Sequence, residues 1–244
     1  MNDTAPLRRA RTRVLADIAA ACARTGRSAR DVTLVAVSKG VAAGRLRAAV
    51  AAGLTVLGEN RVQELVAKAP DVPGATWHLV GPVQSNKARR AVEVADVIES
   101  VDSVELAQRL DRLVRELRAL PAEGSVPPDQ RLPVFLQVNV DVDPAKAGFG
   151  PTELEPALGA MAGLGALEVA GLMTIGRLAS TPEDARPTFV ELRRLSERLR
   201  TRWPVLGPGL SMGMSADYPI AVEEGATVVR VGRAIFGERP AAHG

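Results

Sequence analysis

Short apolar runs alternate along the chain with longer stretches in which apolar residues recur every three or four positions. The runs at residues 32–38, 55–57, 76–80, 97–100, 134–140, 167–173, 209–212 and 227–231 are short and β-branched or apolar, the pattern of strands in a parallel sheet. Helical spacing fills residues 6–25, closed by Gly26, and then 43–52, 61–69, 86–95, 104–120, 151–163, 182–202 and 216–224. Eight strands, seven helices between them and one helix before the first predict an α/β fold: a single (β/α)8 TIM barrel with an extra N-terminal helix in residues 1–30. A doubly wound open sheet uses the same alternation and is the alternative. The length of 244 residues matches the roughly 250 of such a barrel, so one domain spanning 1–244 is expected.

The one Pro/Gly-rich stretch, residues 121–130, falls between a helix and the amino end of the fifth strand and reads as a surface loop, not a domain boundary. Residues 239–244 are small and polar and are expected to fray as a flexible tail, with His243 solvated.

Composition narrows the function classes. Aromatics make up 3% of the chain against 46% apolar residues, so the core must be built from Ala, Val and Leu. The net charge of +3 comes from many arginines offset by nearly as many carboxylates, with no run of five like charges and few rings for base stacking, which argues against nucleic acid. A single cysteine, Cys22, excludes an internal disulfide and reads as a small buried residue. Two histidines cannot complete a zinc cluster. With no signal-peptide pattern and no apolar segment of membrane-span length, a cytoplasmic protein is expected.

A barrel gathers its chemistry at the carboxyl ends of its strands. There stand Ser38, Lys39 and Gly40; Glu59, Asn60 and Arg61; His78 and the Gly81–Lys87 segment; Asn139 with the 141–150 loop; Met173 and Thr174; Ser211 to Ser215; and Arg230, Gly232 and Arg233. Lys39 is singular in a chain with four lysines and twenty-seven arginines. An amine at the end of a buried strand loses hydration, which favours the neutral form that attacks aldehydes to give a Schiff base, although a lysine there can also simply snorkel to solvent. After strands seven and eight, the Gly213–Ala216 and Gly232–Ala234 turns offer backbone N–H groups to a phosphate. Ser215 can donate to it while capping the following helix. An amine and a phosphate cradle together suggest a phosphorylated aldehyde. Plainer accounts serve elsewhere: His78 as a hydrogen-bonded strand residue, Glu59 and Glu64 as helix-start carboxylates, and Ser85, Asn86 and Lys87 as a cap and first turn.

Six ordered motifs carry a resemblance: AVSK at 36–39, GENRVQE at 58–64, WHLVGPVQSNK at 77–87, GLM at 171–173, LSMGMS at 210–215 and VRVGRAIFG at 229–237. Between about Asp31 and Glu238 the chain resembles the YggS/PROSC family, the pyridoxal phosphate homeostasis proteins. The resemblance implies a barrel like the alanine racemase N-terminal domain, holding pyridoxal 5'-phosphate as a covalent aldimine to Lys39. It implies that Asn60 lies beside the ring, that Met214, Ser215 and the Gly232 loop hold the phosphate, and that Arg230 faces the pyridine nitrogen. Lys146 matches a second family lysine near the cofactor, and His78 is a further contact candidate. Arg233 departs from the threonine frequent in the family; a hydroxyl contact is lost there and an arginine can replace it with a charge-assisted one.

A permanently cationic Arg230 at the ring nitrogen discourages its protonation and weakens the cofactor as an electron sink. The resemblance implies a binder and carrier of the cofactor, with apoenzymes as partners and no substantial turnover; with no second domain to supply the usual racemase dimer contacts, a monomer is expected. The alternative is an amino acid racemase, which needs a second base opposite the lysine, usually a tyrosine from an additional domain. The only tyrosine is Tyr218, and the chain stops soon after strand eight.

Overall fold

The computed structural model describes residues 3–119, 131–176 and 180–238. The loop predicted at 121–130 and the tail predicted at 239–244 lie outside the described residues. Eight parallel strands, β1 (Thr33–Val37), β2 (Val56–Glu59), β3 (Thr76–Leu79), β4 (Val97–Val101), β5 (Leu132–Gln137), β6 (Leu167–Met173), β7 (Gly209–Ser211) and β8 (Val228–Val231), pair in chain order, and β8 returns to β1. The sheet is a closed barrel and not the open alternative.

Helix α1 (Thr4–Arg24) buries Leu7, Ala10, Val14, Ile18, Ala21 and Cys22, a stripe at three- and four-residue spacing. Between the strands run α2 (Ala43–Ala51), α3 (Val62–Lys68), α4 (Ala88–Val94), α5 (Val104–Arg118), α6 (Leu154–Met161), α7 (Arg186–Arg200) and α8 (Tyr218–Glu223); α9 (Arg233–Phe236) follows β8. Helix α1 packs against α2, α8 and α9.

Strand alternation sorts the apolar residues into two layers. Outward positions such as Leu34, Ala36, Leu57, Leu79, Leu136, Val229 and Val231 join the helices in one large shell. Inward positions Val35, Val80, Phe135, Met173 and Val228, with Val37, Val56, Val97 and Ala170 against them, form a small separate cluster inside the barrel. Closure between β6 and β7 depends on glycine: Gly171 pairs with Gly209, and a Cβ on Gly171 would stand 1.9 Å from the Gly209 carbonyl oxygen.

Several boundaries differ from the periodicity. The fifth strand stops at Gln137, not at residue 140, because the Asn139 amide donates to the Asp143 and Lys146 carbonyls and its oxygen accepts from the Asp143 N–H, folding the chain into a turn. The helix expected over 151–163 is confined to α6; Glu153 turns back to accept from Gly150 N–H. The helix expected from 182 opens as a 3-10 turn, Pro182–Ala185, fastened by a Thr181/Asp184 capping box, before α7 begins.

Candidate functional site

The register of β1 with its neighbours assembles the carboxyl rim around Lys39. Val35 and Val37 face inward at the carboxyl end of β1, and Lys39, two residues on, stands half-buried in the turn that follows the strand. Val37 pairs with Gly58 on β2, so Asn60, just past the end of β2, lies at the same rim as the Lys39 turn. On the other side Ala36 pairs with Val231, and Gly232 lies against Val37; a Cβ on Gly232 would stand 3.2 Å from the Val37 carbonyl oxygen. Lys39 therefore sits between Asn60 and the β8 loop.

Below this rim the barrel interior holds a buried polar chain. Arg230, paired with Val35, is 5% exposed and donates to the Thr174 carbonyl (2.7 Å) and to the Ser211 hydroxyl. Ser211 in turn donates to Glu99 Oε2 (2.5 Å), which lies 3.8 Å from the Arg230 guanidinium. The other Glu99 oxygen faces His78 Nδ1 at 2.5 Å. Burial pushes Glu99 up, but the His78 hydrogen bond and the His78 and Arg230 charges outweigh it and hold the carboxyl below its ordinary value. With Glu99 ionised, His78 Nδ1–H is the donor. Burial likewise pulls the Arg230 guanidinium down against the pull of Glu99 and Asp217, and at such a high starting value the group stays cationic. Residues of β3, β4 and β7, with Thr174 just past β6, thus fix one arginine.

This geometry sets an acid dependence. A depressed carboxyl contributes stability that is complete above its unfolded value of 4.5 and drains away as pH falls through the lower folded value. The fall in unfolding free energy on acidification below 4.5 should be shallower in Glu99→Gln than in the parent protein, measured by urea unfolding at stepped pH; equal slopes would contradict the pairing.

The turns after β7 and β8 meet through Ser215, whose hydroxyl oxygen accepts from Gly232 N–H (3.2 Å) and Ala234 N–H (3.3 Å). Ser215 thereby caps α9, not the following α8 as its position suggested. Asp217 at the start of α8 instead turns back onto Met214 N–H (2.7 Å), which leaves the Ser215 oxygen for the neighbouring loop. With its oxygen accepting twice, the Ser215 O–H is directed elsewhere as a donor. The Met214 side chain is exposed at this edge. Arg233 is also exposed, 3.9 Å from Glu238.

Lys146 stands on the loop after β5, donates to the carbonyls of Ile175 (3.2 Å) and Gly176 (3.3 Å), and lies 3.8 Å from Asp141, whose other oxygen accepts from Thr188. It pins one rim loop to the next. The carboxylates Glu59 and Glu64 do more than begin a helix: both bind Lys68, which donates to the Ser38 carbonyl, and Glu64 itself accepts from the Gly40 N–H, so the cluster reaches the backbone on both sides of Lys39. Ser211, the last residue of β7, stands among the strand-end residues that the sequence singles out, whereas Glu99 and Lys68 give no signal there beyond a charge in a strand and a charge in a helix.

Among the described residues no group of three or more His, Cys, Asp or Glu could hold a metal ion, and no helix is long and apolar enough to cross a membrane.

The family model for the alanine racemase N-terminal domain matches residues 15–240, which fixes the class of barrel. The pyridoxal phosphate homeostasis proteins of Aquifex aeolicus and Escherichia coli K12 are 37% and 38% identical to this chain, over 93% and 91% of it and 96% and 92% of their own lengths. The solved structure of PipY from Synechococcus elongatus PCC7942 with pyridoxal phosphate bound superposes with a TM-score of 0.76 at 42% identity, covering 90% of this chain and 100% of PipY. Alanine racemase from Corynebacterium glutamicum, 19% identical with a TM-score of 0.68 over 98% of this chain and 63% of its own, shares the fold. The chain belongs to the pyridoxal phosphate homeostasis protein family within the alanine racemase N-terminal domain barrels.

Proposed function

We propose that this protein binds pyridoxal 5'-phosphate through an imine to Lys39 and serves intracellular homeostasis of that cofactor, holding and delivering it without substantial turnover. The observation that carries the reading is the register that brings Lys39, Asn60 and the Gly232 loop onto one rim above a buried, fixed Arg230. The donor set fits the group. An amine stands at the strand end for the aldehyde, and the Ser215 O–H suits a phosphate at the β7 and β8 turns, whose Met214, Gly232 and Ala234 N–H groups already donate to Asp217 and Ser215. A cation held by Thr174, Ser211 and Glu99 suits an unprotonated ring nitrogen. The names of the relatives and the PipY complex support it.

Bound pyridoxal phosphate supplies an electron sink for carbanions, and the chain's own residues limit that chemistry. Arg230 cannot give up its proton to the ring nitrogen, and the Glu99 and Ser211 contacts keep it from swinging away. Asn60 would orient the ring beside the lysine, Arg233 would give the phosphate a charge-assisted contact, and Lys146 would be a secondary contact near the cofactor.

The racemase alternative lacks its second base. The hydroxyl of Tyr218 is a donor to Asp17 on α1 at 2.5 Å, and burial followed by the Asp17 contact pushes its pKa well up, so this phenol is neither free nor a base. One domain, a monomeric state, a cytoplasmic location and apoenzymes as recipients complete the proposal. Titration of the apo-protein with pyridoxal phosphate, followed by chiral analysis after incubation with L-alanine, should give saturable uptake and no D-alanine above the protein-free control. Absence of uptake would overturn the reading, and steady D-alanine production would favour the racemase.

A further inference from the structure

We infer that Lys68, the last residue of α3, is a positioning residue for Lys39. The inference rests on the reading of Lys39 as the attachment point. The Lys68 ammonium donates to the Ser38 carbonyl (3.2 Å), Glu59 Oε1 (2.7 Å) and Glu64 Oε2 (2.8 Å), which commits all three of its protons. Each of the two carboxylates then holds one neighbour of Lys39. Glu59 Oε1 accepts from the Ser38 hydroxyl (2.7 Å), and Glu64 Oε2 accepts from the Gly40 N–H (3.0 Å). The residue before Lys39 and the residue after it are therefore fastened to one ion cluster.

Alternation along the strands puts the cluster on the other side of the sheet from the ligand. Gly58 belongs to the inner face, against Val35, Val37 and Val80, whereas Ser38 and Glu59 are outward positions and are fully buried under α3. Lys68 and its carboxylate partner thus grip the backbone on either side of Lys39 from outside the sheet.

Stability alone does not account for such a cluster, because an apolar replacement of a buried ion pair is often neutral or better. Here one carboxylate is strained: burial raises the Glu59 pKa against the help of Lys68 and Ser38, and Glu59 Oε2 is buried with no hydrogen-bond partner among the described residues. Glu64 is pushed up by its partial burial, yet Lys68 and the Gly40 N–H hold it below its ordinary value. Barrel closure does not use the cluster either, since β1 and β2 are already joined at Ala36 with Leu57 and Val37 with Gly58. What it adds is the fixed placement of the turn that carries Lys39.

The test follows the rate of pyridoxal phosphate uptake by apo-protein, together with hydrogen exchange at the Gly40 amide, which needs no ligand. Lys68→Met and Glu64→Ala should slow uptake by roughly 10–100-fold, the scale of a misplaced reacting group, and speed Gly40 exchange. Glu64→Gln keeps an oxygen for the Gly40 N–H and should restore most of the rate. Asp111→Ala removes the acceptor of Ala166 N–H at the amino end of β6, on the opposite rim; it should lower stability and leave the uptake rate unchanged. Uptake by Glu64→Ala indistinguishable from the parent protein would overturn the inference, and this variant decides the matter if Lys68→Met does not fold, because Glu64 is only half-buried on a helix. Equal slowing in Asp111→Ala would reduce the cluster to general stability and also overturn it. Failure of the parent protein itself to take up the cofactor would instead sink the reading of Lys39.

Discussion

Lys39→Ala should give a folded barrel that forms no covalent adduct with pyridoxal phosphate and shows no visible absorption band on titration. The other lysines do not stand in for it. The Lys68 ammonium is committed to Ser38, Glu59 and Glu64, and Lys146 is tied to the carbonyls of Ile175 and Gly176. Lys87 lies in a 3-10 turn after β3, three strands round the barrel from the Gly232 loop. The barrel itself should survive, because the Lys39 side chain is outside both apolar clusters; a stability change within about 1 kcal/mol is expected. The Ser215 hydroxyl, the Gly232 loop and Arg230 remain, so the variant should retain weaker, reversible binding, detectable by equilibrium dialysis. A full visible band in the variant would remove Lys39 from its role.

Gly171→Ala should cost at least about 3 kcal/mol, the upper range for overpacking, because the new methyl meets main chain and not a movable side chain. The added Cβ would fall 1.9 Å from the Gly209 oxygen and 2.4 Å from its carbonyl carbon, so β6 and β7 must part. Gly209 cannot retreat easily: a Cβ at its own position would already press on the Ala170 carbonyl oxygen and the Phe135 ring, each at 2.7 Å. Two residues beyond this crossing stands Ser211, and three beyond Gly171 stands Thr174, the two groups to which Arg230 donates. The same substitution should therefore weaken cofactor binding as well as stability. Urea unfolding should show a lowered midpoint at an unchanged m value, whereas an unchanged midpoint would contradict the description of this crossing.

The architecture was legible because two periods alternate eight times, and a closed parallel sheet is what such alternation builds. Element ends were less legible where distant groups set them. Asn139 stops β5 by bonding to a loop four to seven residues on, and the four-residue α9 exists under the cap of Ser215, which comes from the turn after the preceding strand. The rim residues could be read from their places at strand ends, and Lys39 from its rarity. The buried chain beneath them could not. His78 and Glu99 are 21 residues apart and Glu99 and Ser211 are 112 apart, so no local spacing announces that they share one hydrogen-bonded line. Glu64 looked like a carboxylate favouring a helix dipole because its actual partner, the Gly40 N–H, lies 24 residues earlier on another element. Ser215 was seen as a helix cap and is one, but for the helix after β8.

The central claim is that the Lys39 amine holds pyridoxal phosphate, and borohydride reduction of the loaded protein, followed by proteolysis and mass spectrometry, tests it most directly. Reduction turns the imine into a stable amine, and the account predicts the pyridoxyl group on the peptide that contains Lys39. A label on Lys68, Lys87 or Lys146 in its place, or no label on a protein that has taken up the cofactor, would contradict it.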